Sequence, residues 1–327
     1  MTHLCRRLVL LAAAGLFACA GAFAQESADA FPSRTVRIVV PFPPGGGSDT
    51  FSRLLAQKLS ARLRQSVIVE NRPGGSTVIG GTLVARAPAD GYTVFVATFI
   101  NSIVPILQVP GTWDIRKDLE PVSLLTTNAY VLVVNSEFPA RSVSELLALS
   151  KATPEGLSYA SQGSGTPGHL AGELLKSLTG AKLVHIPYQG TAPSINAVLA
   201  NQVPITFGNT FGTLPHIRAG KFRPLAVTGP TRTSLLTDVP TMTEAGVPGF
   251  EVVGWYGWMV PAGTPAPIVA KLRREVLDAM GEPEVKRFID NEGSAVAGGT
   301  PAEFATFIKD EIAKWTNAVK ASGVKLE

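Results

Sequence analysis

The sequence predicts an α/β fold in which mainly parallel sheets are flanked by helices. Short apolar runs alternate with stretches of helical periodicity along the chain. Glycine-rich or hydroxyl-rich turns join many of these runs to the helix that follows, as βαβ units require. At 327 residues the chain is longer than one ordinary hydrophobic core usually serves. We therefore expect two domains, each a sheet with helices on its faces.

The N-terminus is typical of a secretory signal peptide. Arg6 and Arg7 precede the apolar run Leu8–Phe17, and Ala22–Ala24 supplies small residues for cleavage before Gln25. The apolar run is too short to span a bilayer. We expect residues 1–24 to be removed and the mature protein to be exported to the periplasm.

Both cysteines, Cys5 and Cys19, lie in this segment. The mature chain then has no disulfide and no thiol chemistry. A lipoprotein site at Cys19 is the alternative, although Phe17 is bulky for the residues that precede such a site. Removing the two arginines from the 29 basic residues leaves 27 against 25 acidic ones, a net charge of +2. No basic cluster suggests nucleic acid, and no later apolar run is long enough to cross a membrane.

The mature chain begins with three strands separated by helices. Thr93–Thr98 is entered through a turn, and a loop rich in proline and tryptophan, Trp113–Pro121, follows it. The other predicted elements of this part are the strands Val36–Val40 and Val67–Glu70 and the helices Ser48–Leu63 and Val78–Arg86.

The remaining chain continues the same alternation. Ser142 with Glu145 forms a capping box at the start of a helix, and Gly229-Pro230 ends the pattern. We expect 25–125 plus 230–327 to form domain 1 and 126–229 to form domain 2. The predicted elements are a strand at Tyr130–Asn135, a helix at Ser142–Thr153, strand–helix units at Leu157–Leu178 and Val184–Leu199, a strand at Leu225–Thr228, and helices near Pro267–Met280, Glu282–Asn291 and Pro301–Ala321.

The first candidate site is the turn after the first strand, within Pro41–Thr50. Its three glycines, Gly45–Gly47, let a ligand approach the backbone closely. The first turn of the next helix has unpaired N–H donors and a partial positive charge, which suits a carboxylate or phosphate. Ser48 or Asp49 is the expected N-cap. A plain strand–helix connection is the alternative.

The second candidate site, within Tyr159–Leu170, has the same layout. Thr166 is the expected N-cap and Pro167 the first helical residue. The dinucleotide fingerprint G-x-G-x-x-G is matched at Gly163, Gly165 and Gly168. However, Leu183–Gln189 contains no acid for a ribose hydroxyl, and export removes the protein from the nicotinamide pool. We reject a dinucleotide site and expect no cofactor.

The sequence offers little for catalysis. It contains no G-x-S-x-G, H-E-x-x-H or P-loop motif. The mature histidines, His169, His185 and His216, lack a second ligand at metal spacing, so we expect structural roles and no metal site. A Ser161 or Ser164 nucleophile would need a nearby base. His169 is predicted to lie inside a helix, so an exported hydrolase is an alternative without a clear base.

Two anion-ready loops in one exported chain suggest a clamshell that closes on a small anionic ligand. Neutral donors would hold a carboxylate without the desolvation cost of burying an arginine. The chain also resembles a known family, the Bug extracytoplasmic solute receptors of tripartite tricarboxylate transporters. The matching stretches run in order through nearly the whole mature chain: Val39–Asp49, Val69–Gly74, Ala89–Thr93, Lys117–Val122, Tyr159–Leu170, Pro187–Pro193, Val239–Thr241, Trp255–Gly257 and Pro261–Pro265.

This resemblance implies a two-domain periplasmic binding protein (Venus-flytrap) without catalysis. The expected partners are a small carboxylate and transporter membrane subunits, and the alternative is a sensor that signals to a membrane kinase. We also expect a monomer that binds no nucleic acid. The implied ligand-binding residues are Phe42, Pro43, Gly45, Gly46 and Ser48 in the first loop, Ser161, Gly163, Ser164, Gly165 and Thr166 in the second, and Thr98, Gly190 and Asn209 between them.

The chain departs from the family in two places. Gly75–Val78 replaces a run of small residues, glycines and an asparagine, which puts a ligand role of that loop in doubt. Ala197, Pro204 and Gly208 stand where the family commonly has aspartates. Gly208 follows a predicted strand, at the edge where a parallel sheet presents its cleft. A buried ammonium needs an acidic or carbonyl partner, so if those aspartates line the cleft we expect a carboxylate ligand without an ammonium group. The alternative is that the aspartates are only surface or helix-capping residues.

Overall fold

The computed structural model of the protein describes residues 30–107 and 113–322, so the predicted signal peptide and Cys19 lie outside the described residues. No helix in these two ranges is both long enough and apolar enough to cross a bilayer. The strands are β1 Val36–Val40, β2 Val67–Asn71, β3 Thr93–Thr98, β4 Leu119–Asn135, β5 Leu157–Ser161, β6 Leu183–Pro187, β7 Ile205–Asn209, β8 Phe222–Val227, β9 Val253–Pro261 and β10 Ser294–Val296. The helices are α1 Gly47–Leu63, α2 Val78–Ala85, α3 Ile100–Leu107, α4 Val143–Ala152, α5 Pro167–Thr179, α6 Thr191–Leu199, α7 Thr210–Arg218, α8 Ala266–Met280, α9 Pro283–Asn291 and α10 Pro301–Ser322.

The strands form one mixed sheet in the order β2-β1-β3-β9-β4-β7-β5-β6, and β8 and β10 also pair with β4. Strand β1 pairs in parallel with β2 and β3, and β5 pairs in parallel with β6 and β7. The pairs that involve β4 or β9 are antiparallel. The predicted α/β fold is confirmed. Both candidate loops follow the carboxyl ends of parallel strands, where open α/β sheets place their ligands.

Strand β4 joins two groups of strands. Residues 119–129 pair with β9, and residues 130–134 pair with β7. We call β1, β2, β3, β9 and β10 the first strand group, and β5 to β8 the second strand group. The predicted domain boundary after residue 125 falls inside β4, which begins eleven residues before the predicted strand at Tyr130. The division into two domains stays a prediction.

The hydrophobic core follows the same arrangement. One cluster packs α1, α8 and α9 on the first strand group, and a larger cluster includes buried residues from both groups. The C-terminal helix α10 contributes to the larger cluster through Trp315, which meets the ring of Phe99 edge-on at 5.1 Å, and through Phe304, which meets Trp255 at 5.7 Å. Helix α10 therefore packs against β4 and against helices of both groups.

Four elements are missing from the sequence prediction: α3, α7, β9 and the short strand β10. Pro105 lies inside α3 and Pro215 inside α7, and an internal proline removes an N–H donor and argues against a helix. Strand β9 contains two glycines, which weaken strand propensity. A β-carbon on Gly257 would lie 2.2 Å from the ring of Phe304. The glycine that weakens the sequence signal is the residue that lets α10 approach the sheet.

Replacing Gly257 with alanine should lower the free energy of unfolding by about 1–3 kcal/mol, because the added methyl overpacks the contact with Phe304. Denaturant unfolding of the purified variant measures this. Gly299→Ala is the matched control, since its β-carbon meets only Glu303, at 3.4 Å and beyond. It should stay within about 0.5 kcal/mol of the unsubstituted protein. Equal stabilities for the two variants would contradict the packing described for β9 and α10.

Candidate functional site

The first loop, residues 41–46, connects β1 to α1. The N-cap of α1 is Gly46, so the prediction that Ser48 or Asp49 caps this helix is wrong. Both side chains lie in the first turn, where backbone N–H groups have no partner within the helix. Ser48 is 6% exposed, and its hydroxyl makes no hydrogen bond to another residue in the part of the chain that the structure describes. Of the other predicted residues, Phe42 is half-buried and Pro43, Gly45 and Gly46 are exposed.

Asp49 holds this loop in shape. Its buried carboxylate accepts hydrogen bonds from the Gly45 N–H at 2.9 Å, from Asn71 Nδ2 at 2.9 Å and from Arg53 Nε at 3.0 Å. Burial raises the pKa of Asp49, but the hydrogen bonds from Arg53, Gly45 and Asn71 outweigh it and hold the pKa below its usual value. The Asp49 carboxylate therefore stays charged near neutral pH, and the hydrogen bonds that it accepts stabilise the loop itself.

The second loop, residues 162–166, connects β5 to α5. Thr166 is the N-cap of α5 and Pro167 its first residue, as predicted. The Thr166 hydroxyl donates to the Gly163 carbonyl at 2.7 Å and accepts from the His169 N–H at 3.5 Å. Ser164 is half-buried, and within the described residues its hydroxyl has no hydrogen-bond partner. In this loop Thr166 shapes the backbone, and Ser164 keeps a free donor.

Ser161 and His185 form a close pair beneath the second loop. Ser161 Oγ lies 2.6 Å from His185 Nε2, and the ring of His185 stacks on that of His169 with centroids 3.8 Å apart. His169 Nδ1 in turn accepts the Gly165 N–H at 3.0 Å. Burial lowers the pKa of both histidines to about 4, so both rings are neutral near pH 7.

The sequence analysis missed His185 as a partner of Ser161. The two residues lie on neighbouring parallel strands, where His185 stands directly opposite Tyr159. A parallel pairing of β5 with β6 is the signal that could have found it. The pair has the distance of a nucleophile and its base. Ser161 is nevertheless fully buried, so a substrate carbonyl has no access to its hydroxyl in this structure.

Four glycine N–H groups that suggested free anion donors have partners inside the protein. The Gly45 N–H donates to Asp49, and the Gly163 N–H donates to the Ser161 hydroxyl. The Gly165 N–H donates to His169, and the Gly190 N–H donates to the Gln162 carbonyl. Within residues 30–107 and 113–322, the side-chain groups of the predicted site that have no hydrogen-bond partner are the Ser48 hydroxyl, the Ser164 hydroxyl and the Asn209 amide nitrogen. These side chains, together with the backbone N–H of Gly46, are left to meet a ligand.

The three residues predicted between the loops lie along the strand ends. Asn209 caps α7 by accepting the Gly212 N–H at 2.8 Å, and it stands opposite Tyr130 of β4. Thr98 stands opposite Tyr256 of β9. Buried Asn101, which the sequence analysis missed, accepts the Thr98 N–H at 2.7 Å and donates to Thr77 Oγ1 at 2.7 Å. The loop that departs from the family pattern is thus tied to Thr98 through Asn101.

Contacts continue from one loop to the other. A β-carbon on Gly47 would lie 3.1 Å from the Tyr256 hydroxyl, and one on Gly293 would lie 2.9 Å from Thr210, the first residue of α7. On the far side, Gln162 Nε2 donates to the carbonyl of Phe207 at 3.1 Å. A series of contacts at the ends of the strands therefore links both loops and Asn209.

Two further expectations concern acids and metals. A β-carbon on Gly208 would lie 2.3 Å from Thr213 Cγ2, so α7 occupies the space that an aspartate would need there. Ala197 is buried on α6. The absence of acids at these positions therefore says little about the ligand.

Among the described residues no group of three His, Cys, Asp or Glu side chains could hold a metal ion.

Comparisons with known proteins show which receptor family this chain is similar to. Residues 51–324 match the model of the tripartite tricarboxylate transporter family receptor. BugT of Bordetella pertussis is 36% identical over 321 residues, which are 97% of this chain and 98% of BugT. A solved structure of an R. palustris protein with adipate has a TM-score of 0.80 at 34% identity and covers 90% of this chain and 99% of its own. MatC from Rhodopseudomonas palustris with bound malate has a TM-score of 0.77 at 32% identity and covers 88% and 100%.

The buried histidine pair should make stability depend on pH. The unfolded chain titrates histidine near pH 6.5, whereas the folded protein takes up these protons only near pH 4. The unfolded state therefore binds more protons in this window, and the free energy of unfolding falls as the pH decreases through it. His185→Gln should lose less stability than the unsubstituted protein between about pH 7 and about pH 4.5 in denaturant unfolding.

The control is the same comparison between about pH 7 and about pH 8, where both histidines are neutral and the two proteins should change in parallel. Equal losses of stability in the two proteins on acidification would contradict the buried neutral pair.

Proposed function

This chain belongs to the tripartite tricarboxylate transporter family of receptors, and we propose that it captures a small carboxylate between its two loops. The observation that carries the proposal is the pair of helix starts, α1 and α5, each placed after a parallel strand of the same sheet. Ser48, Ser164 and Asn209 supply unpaired donors beside them. Relatives of known structure are described with adipate and with malate, both small dicarboxylates.

Neutral donors suit a receptor that must release its ligand. A hydroxyl or amide donating to a carboxylate contributes a charge-assisted hydrogen bond, typically about 1.5–3 kcal/mol. A buried arginine would first have to be desolvated, at a cost of several kcal/mol. The helix starts add a partial positive charge without any side-chain rearrangement. Moderate and reversible binding follows from this choice of groups.

The proposed partners are the membrane subunits of a transporter, and the proposed location is the periplasm. Both follow from the family, whose members are receptors for such transporters. Uptake of a radiolabelled dicarboxylate by cells that lack the gene measures the transport role. Catalysis is not proposed, because the Ser161 hydroxyl is fully buried and both Ser161 and His185 support the second loop.

Asn209→Asp tests the ligand site with little change in structure. Aspartate keeps the oxygen that caps α7 but replaces the free amide donor with a negative charge. We expect the affinity for adipate or malate to fall about ten-fold or more, since one donor is lost and like charges repel. Calorimetric titration measures the affinity, after a thermal-shift screen in which a ligand at 100 times its Kd adds about 2.7 kcal/mol of stability.

Asn201→Asp is the matched control. It makes the same change of charge at an exposed position before β7, at the opposite end of that strand from Asn209. Its affinity should equal that of the unsubstituted protein. Unchanged affinity in Asn209→Asp, or binding of no dicarboxylate by the unsubstituted protein, would refute the proposal.

A further inference from the structure

Glu292 is an acid beside the first loop. It follows α9 directly, and its side chain reaches the start of α1, where a β-carbon on Gly47 would lie 3.5 Å from Glu292 Oε2. The Tyr256 hydroxyl lies 3.1 Å from the same point. A carboxylate thus stands next to the helix start at which we place the carboxylate of the ligand.

The turn that carries Glu292 is fixed from two sides. Gly293 has a φ of 65°, a conformation that favours glycine, and a β-carbon there would lie 2.9 Å from Thr210 of α7. Phe288, one helical turn before Glu292, stacks on Phe51 of α1 with ring centroids 5.7 Å apart. Contacts with α1 and with α7 therefore fix the position of Glu292. Because α7 follows β7, the second strand group contributes to this position.

The Glu292 side chain is partly buried and has no partner of its own. No hydrogen bond or ion pair to its carboxylate occurs among residues 30–107 and 113–322. Burial raises the pKa of Glu292. The ionisable groups that interact with its charge are Tyr130 of β4 and Tyr256 of β9, whose own pKa values are raised by burial first and by Glu292 in addition. A partly desolvated carboxylate that has no hydrogen-bond partner gains from a bound donor.

We propose that Glu292, with the hydroxyl of Tyr256, binds a hydrogen-bond donor of the ligand, a hydroxyl or ammonium group next to the carboxylate that the first loop holds. This inference rests on the proposed function, because it assumes that a carboxylate binds at the start of α1. A donor on the neighbouring carbon would lie between two carboxylates and offset their repulsion. A plain dicarboxylate would bring its charge towards Glu292 with no donor between the two.

The inference admits a ligand with an ammonium group, which the sequence-based expectation excluded. That expectation rested on positions 197, 204 and 208, and a side chain at 208 has no space beside Thr213. Glu292 escaped notice because it lies far from both loops in sequence. The acid that specifies the ligand would then come from the C-terminal part of the chain.

Three dicarboxylates of four carbons each test whether the ligand carries such a donor. Succinate has no donor on the second carbon, malate has a hydroxyl there and aspartate has an ammonium. Calorimetric titration at about pH 8 compares the unsubstituted protein with Glu292→Gln. We expect the unsubstituted protein to bind malate or aspartate about ten-fold or more tightly than succinate. Glu292→Gln should lose this preference and should bind succinate no more weakly than the unsubstituted protein does.

Glu155→Gln removes a charge from an exposed acid between α4 and β5 and should keep the original preference. Circular dichroism and the midpoint of thermal unfolding check that Glu292→Gln is folded. Equal affinity for all three acids, or a preference that persists in Glu292→Gln, would overturn the inference and leave the proposed function standing. Failure of all three to bind a protein that binds adipate would also overturn the inference alone. Binding of no dicarboxylate at all would overturn both.

Discussion

Backbone pairing along β4 is the constraint on which the rest of the structure depends. A single strand supplies hydrogen-bond partners to β9 and β10 on the first strand group and to β7 and β8 on the second. Register is strongly specified where strands are buried, since a slip of one residue turns every side chain to the opposite face. The opposition of Tyr130 to Asn209 therefore fixes where the start of α7 lies relative to β9 and the first loop.

Each loop has its own buried polar support. Asp49, Arg53 and Asn71 hold the first loop, and the paired rings of His169 and His185 hold the second. Beneath the histidines, the buried Tyr159 hydroxyl lies 3.0 Å from Glu173 Oε1, and Lys176 bonds both oxygens of that carboxylate. Buried hydrogen-bond networks of this kind rigidify a site, because every broken bond would leave a buried polar group unpaired.

The sequence was sufficient for the features that are local in the chain. Apolar periodicity placed β1 and β3 at their observed bounds, and the hydroxyl before Pro167 marked the start of α5. Features that arise from packing were out of reach. Gly257 looked unsuited to a strand because its partner Phe304 is distant in sequence, and His185 met Ser161 only through the pairing of two strands. The same holds for Glu292, whose neighbours Gly47 and Tyr256 belong to other elements. Glycine-rich turns correctly located the loops, but their N–H groups serve the loops themselves.

The groups that hold the loops are different from the side chains left free for a ligand, and this has a consequence for how such receptors diversify. The glycine N–H groups and the buried networks keep each loop in one conformation, and a few side chains at its rim carry the free polar groups. A preorganised site spends little of its binding energy on ordering the protein. Under the proposed function, a change at Ser48, Ser164, Asn209 or Glu292 alters which small molecule is accepted without rebuilding the scaffold. Duplicated genes for one such scaffold would then acquire new ligands through single substitutions at Ser48, Ser164 or Glu292, whose side chains make no hydrogen bond within the described residues.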